Sequence, residues 1–172
     1  MKLNPTTEKF VLHWGEMGTQ WGVNRTVAQI HALLYILGRP VPADEIAETL
    51  GVARSNVSNS IKELQSWQLV QTVHILGDRR DHFTTSGDVW ELFRIIVAER
   101  QRREIEPTVR FLQSLMDSPE YAQENETARQ RIAQTHEFVG TLTSWTQEML
   151  RLSTTTLAKV LKLGASIQKL LR

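Results

Sequence analysis

A chain of 172 residues with 41% apolar and 23% charged side chains has an ordinary globular composition, which excludes a disordered polymer and a collagen-like repeat. The net charge of +1 gives little support to a wholesale polyanion binder, and residues 1–86 carry eight Lys and Arg against eight Asp and Glu, so any nucleic-acid face must be a local patch. Cysteine is absent, so no disulfide or thiolate metal site can form and stability must come from packing.

In chain order, Thr7 can cap a first helix with Phe10, Val11, Trp14 and Met17 on one face, and the glycines at 15, 18 and 22 leave its end open. Asn24 caps a second helix whose stripe is Val27, Ile30, Leu33, Leu34 and Leu37, with Gly38 as a left-handed terminator. "ADEIAETLG" is a short helix with Asp44 and Glu45 at its positive end and Gly51 as its stop. "RSNVSNSIKELQSW", residues 54–67, is a helix burying Val57, Ile61 and Leu64 and closed by Trp67. "LVQTVHIL" and "HFTT" read as the two strands of a hairpin around the turn "GDRRD".

From Gly87 a long helix follows with Val89, Leu92, Phe93, Ile96 and Val97 as its seam, and Pro107 starts or kinks another turn leading to Leu112, Leu115 and Met116. Ser118 as N-cap and Pro119 as first residue open a further long helix, with a heptad seam of Ala128, Ile132, Thr135, Val139, Leu142, Thr146 and Met149. A last helix sets Leu157, Val160, Leu161, Ile167 and Leu171 against Lys159, Lys162, Lys169 and Arg172. The expected fold is therefore mainly α with a small β-hairpin wing: a winged helix-turn-helix domain over 1–86 and long C-terminal dimerisation helices over 87–172. The N-terminal helix is free to join the dimer interface.

The spacing of Ala47, Gly51 and Val57 is that of a helix-turn-helix, with a small residue at the crossing, a glycine turn and a buried anchor. This makes 54–67 a recognition helix. Such a helix needs side chains that both donate and accept at base edges in a groove about 12 Å wide, and short hydroxyls and amides do so. Ser55, Asn56, Ser58 and Asn59 supply them, flanked by Arg54 and Lys62. The alternative for any one of them is a hydrated capping residue. Ala53 at the N-cap position forgoes a hydrogen bond of roughly 0.5–2 kcal/mol, and Ser55 is the other candidate cap. At the wing tip, Arg79 and Arg80 are candidate phosphate or minor-groove contacts, and Asp81 is a candidate to neutralise one of them.

"WGVNRTVAQIHALLYI", "PADEIAETLGVARSNVSNSIKELQSWQLV" and "GDRRDHF…DVWELFRIIVAERQRREI" together resemble the GbsR branch of the MarR-type bacterial transcriptional regulators, over roughly residues 10–110. Trp21-Gly22 with Arg25, "SNVS", Trp67, "GDR" and the "ER" pairs after Trp90 carry the resemblance. It implies a homodimer that binds double-stranded operator DNA and regulates transcription, with some relatives tied to glycine betaine and choline metabolism. An unidentified small-molecule effector belongs to that implied picture. Two-fold pairing would set two recognition helices about 34–36 Å apart and call for a near-palindromic site.

Rival functions are weighed on the same residues. Trp14, Trp67, Trp90 and Trp145 fall on apolar faces and are expected in the core, leaving Trp21 as the candidate ligand-lining residue. His13, His31, His74, His82 and His136 lack metal spacing, although His74 and His82 could approach across the hairpin, so no metal and no cofactor are expected. There is no phosphate loop, no nucleophile elbow and no carboxylate pair in a setting that would shift a pKa, so an enzyme is not expected. A winged-helix module that binds proteins without DNA is the main alternative, and a membrane-surface role for the last helix is a third. No long apolar run exists and "MKLNPTTEKF" lacks the apolar stretch of a secretory signal, so a cytoplasmic address and no membrane partner are expected.

Overall fold

Helix α1 spans Pro5–Gln20 and begins one turn earlier than Thr7 would set it: Asn4 is the cap, its side chain accepting from the Thr7 N–H at 2.9 Å, and Pro5 takes the first position. Thr7 is thus the donor and not the cap. Gly15 and Gly18 lie inside this helix, because a Cβ at Gly18 would stand 2.4 Å from the Ala28 Cβ and one at Gly15 would meet the Gln29 side chain. They are the price of a close approach between α1 and α2, Arg25–Leu37. Asn24 caps α2 by accepting from Thr26 N–H at 2.8 Å, and Gly38, at φ 59°, ends it.

The computed structural model describes residues 1–164, so Ile167, Leu171, Lys169 and Arg172 of the expected last helix lie outside the described residues. The chain divides into two compact units, Met1–Ile95 and a second from Ile96 onward. In the first, α2 is the central helix, packed against α1 and α4 (Arg54–Ser66), with Ile30, Leu33 and Leu34 almost wholly out of solvent. α3 (Ala43–Leu50) leads to Gly51 at φ 63° and into α4, whose Val57, Ile61 and Leu64 are buried as their spacing predicts.

The wing has three strands and not two. β2 (Gln71–Val73) pairs antiparallel with β3 (His82–Thr84), and β1 (Val41–Pro42) adds to the other side of β3, giving the order β1-β3-β2. Val41 sits opposite Phe83, and both are buried. A two-residue strand ending in Pro has no alternation to reveal it, and Pro42 is tolerated on an edge. The predicted strand over 69–76 shortens to three residues: Leu69 and Val70 are core anchors, whereas Leu76 is fully exposed in the wing loop.

In α2, His31 is buried and hydrogen-bonding distance from Thr85 Oγ1 (3.3 Å), which in turn donates to the Leu69 carbonyl (2.7 Å). Burial disfavours the charged imidazolium and pushes its pKa down to about 4 from 6.5. The unfolded chain therefore binds more protons between those values, so this histidine's contribution is complete above pH 6.5 and is lost as pH falls through the window. Urea midpoints should drop between pH 6.5 and 5, above the carboxylate range, and His31→Leu should flatten that stretch. A drop that survives the substitution would assign it to another group.

The second unit is a set of helices. α5 (Val89–Arg100) passes the unit boundary and runs into a π-helical turn, Gln101–Ile105, before α6 (Glu106–Met116). Pro107 explains the turn: it has no N–H for the Arg103 carbonyl and its ring crowds that oxygen, so the helix widens there. Buried Glu99 accepts from Arg102 Nη2 (2.6 Å) and Arg103 Nε (2.9 Å), which hold its carboxyl below the usual range, and Gln101 Nε2 donates to the Thr143 carbonyl (3.3 Å). Pro119–Gln123 forms only a 3-10 turn, and the long helix α7 starts at Glu126, capped by Asn125, so Ser118 is not its N-cap. α8 spans Thr154–Gly164 and buries Leu157.

On α7 the expected heptad seam is divided. Ile132, Val139 and Met149 are half-buried, but Leu142 is exposed and joins Phe138 and Trp145 in a separate outward stripe at i, i+4 and i+7. The tryptophan expectation also needs correction. Trp14 and Trp145 are exposed, Trp67 and Trp90 are half-buried, and none of the four is a core residue of this chain. Apolar spacing finds a helix face; it does not say that the same chain covers that face.

Candidate nucleic-acid interface

α4 has one inward and one outward side. Val57, Ser60, Ile61 and Leu64 are buried, which leaves Arg54, Ser55, Asn56, Ser58, Asn59 and Lys62 exposed on the same helix. The sequence-predicted reading residues therefore share one solvent-facing surface. Ala53 is the N-cap and no side chain caps the helix, so Ser55 is not spent there, and the N–H groups of the first turn are left without a side-chain partner.

Trp67 and a left-handed Gln68 (φ 59°) close the C-terminal end, with Leu69 N–H reaching back to the Leu64 carbonyl at 2.9 Å. This turn sends the chain into β2 beside α4. Gln65 Nε2 donates to Thr72 Oγ1 at 2.9 Å, tying helix to strand. Between α4 and the wing runs an open groove of about 540 Å³ whose cationic lining is Arg54, Lys62, Arg79 and Arg80.

The two wing arginines differ. Arg79 is exposed and takes part in no ion pair among the described residues. Arg80 donates from Nη2 to Asp78 Oδ2 (2.6 Å), from Nε to Asp78 Oδ1 (3.0 Å) and from Nη1 to Asp44 Oδ2 (2.9 Å). Its hydrogen bonds to Asp78 and then Asp44 raise its pKa further, and the same bonds hold the Asp78 carboxyl far below, and the Asp44 carboxyl below, the usual carboxylate range. The neutralising partners are thus Asp78 and Asp44, while Asp81 lies 3.7 Å from His74. Asp44 was read in the sequence only as a complement to the α3 dipole, and nothing in a 36-residue separation signals the pair.

His74 and His82 do not meet across the hairpin: His82 sits opposite Val73, is buried, and lies 3.4 Å from Asp78 and 3.0 Å from the Arg80 carbonyl. Among the described residues no group of three or more His, Cys, Asp or Glu is placed to hold a metal. Trp21 is exposed and edge-on to Trp14 at 6.4 Å, and Trp14 stacks on Phe10 at 5.5 Å. The surface depression beside it, at Glu16, Thr19, Val23 and Arg25, does not include the Trp21 ring. No described helix is long and apolar enough to cross a membrane.

Fold and surface together define a winged helix-turn-helix protein. Residues 21–81 match the model of the MarR family. A solved structure described as a transcriptional regulator is similar at a TM-score of 0.68 and 16% identity, over 85% of this chain and 96% of the other, and it supports the fold. YusO from Bacillus subtilis is 22% identical over 75% of this chain and 85% of its own, with a TM-score of 0.38. The S. aureus MepR-DNA complex is 16% identical over 80% and 92%, also at 0.38. No curated protein matches the sequence.

Proposed function

We propose that this protein is a non-enzymatic, homodimeric transcriptional regulator of the GbsR/MarR type, which binds a near-palindromic operator in double-stranded DNA. Residues 1–86 are the DNA-binding domain and residues 87–172 the dimerisation region. The observation that carries the reading is the exposed row Ser55, Asn56, Ser58 and Asn59 on a helix whose opposite side is core. In this reading α4 enters the major groove, its uncapped N–H groups and Arg54 and Lys62 meet phosphate, and Arg79 and Arg80 reach the adjacent backbone or minor groove. Exposed Phe138, Leu142 and Trp145 supply apolar surface for pairing of two chains. Modulation by a small-molecule effector is part of the proposal, with Trp21 as a lining residue, and the cytoplasm is its place of action.

The test is salt-dependent binding to duplexes enriched from a random pool. Four cations per protomer, doubled by the dimer, set an upper bound of eight phosphate contacts, and the log of the affinity should fall with log salt at a slope of roughly −4 to −7. Two enriched half-sites in inverted orientation are expected. A flat salt response with no enriched sequence would instead favour the protein-binding module that the neutral first 86 residues also allow.

A further inference from the structure

Arg80 joins two elements that the chain keeps apart. A guanidinium has five N–H donors. Asp78 takes one on Nε and one on Nη2, and Asp44 takes one on Nη1. Two N–H groups remain on a side chain that is 51% exposed. Asp78 belongs to the same turn as Arg80 and also accepts its backbone N–H at 3.0 Å, so that pairing only shapes the tip. Asp44 stands in the first turn of α3, and its bond is the one that crosses from wing tip to helix-turn-helix. The strands give the wing little stiffness of their own, since β2 and β3 pair over three residues each and the loop between them is longer than either.

We propose that Asp44 is a positioning residue for DNA binding: through Arg80 it docks the wing tip onto α3 and so sets where Arg80's two remaining N–H groups and the neighbouring Arg79 meet a phosphate. The inference rests on the DNA-binding reading above. It also runs against simple electrostatics, which makes it decisive to test. Asp44 lines the same groove as Arg54, Lys62 and Arg79, where a carboxylate repels phosphate. Charge alone therefore says that removing it tightens DNA binding, whereas docking says that removing it loosens binding.

The experiment compares the full-length wild type with Asp44→Asn and Asp44→Glu on the enriched duplex at fixed salt, and follows amide exchange in the free proteins. Docking requires Asp44→Asn to bind roughly threefold or more weakly despite its lost negative charge, with faster exchange at residues 74–81 and unchanged exchange in α2, and Asp44→Glu to keep most of the affinity. In an Arg80→Gln background the Asp44→Asn loss should vanish. Asp44→Asn binding as well as or better than wild type, or losing the same factor in both backgrounds, overturns the docking role alone. Wild-type protein that shows no salt-dependent duplex binding overturns the DNA reading and this inference with it.

Discussion

Replacing Asn56 by alanine is expected to cost about 1–3 kcal/mol in binding to the preferred duplex and to flatten the preference at one base pair of each half-site. Asn56 lies in the first turn of α4, exposed, where its carboxamide can donate and accept toward the N6 and N7 edge of adenine. Folding and reading separate cleanly at this position. Alanine is the better helix former and Asn56 caps nothing, so the variant should unfold no earlier than wild type while losing discrimination. Binding to a panel of single-base operator variants gives the measurement. An unchanged ranking across that panel would move the reading face away from Asn56.

Leu33→Ala is expected to destabilise the first unit by about 2–5 kcal/mol. Leu33 has no exposed surface and sits in α2, the helix on which both α1 and α4 pack. Collapse around the lost methyls is restricted on the α1 side, where Gly15 and Gly18 already bring the two helices into close contact. The urea midpoint should fall with an unchanged slope, and DNA binding should fail only under conditions where the domain unfolds. A loss under about 1 kcal/mol would mean that the site refills easily and that α2 is not the tightly packed centre of this unit.

The helices of the first unit were legible because each carries its own punctuation. Asn24 and Gly38 bracket α2, and Gly51 separates α3 from α4, through interactions within a few residues along the chain. Helix starts were less legible: Asn4 and not Thr7 caps α1, with Pro5 at its first position, while Ser118 and Pro119 do open a helix, but only a 3-10 turn, and the long helix starts after Asn125. The outward row of α4 was visible for a similar reason. A helix with Val57, Ile61 and Leu64 inside must hold Ser55, Asn56, Ser58 and Asn59 outside.

Local order along the chain thus determined the helices, their polarity and the chemistry α4 presents, because hydrogen bonds and apolar periodicity at three to four residues are written in adjacent letters. Tertiary structure alone decided the third strand through Val41 and Phe83, the interior fate of Gly15 and Gly18, the exposure of Trp14 and Trp145, and the partner of Arg80. Each of these depends on which distant segment arrives alongside. A residue such as Asp44 carries the same charge whether it caps a helix dipole or holds a wing, and only the fold supplies the guanidinium 2.9 Å away.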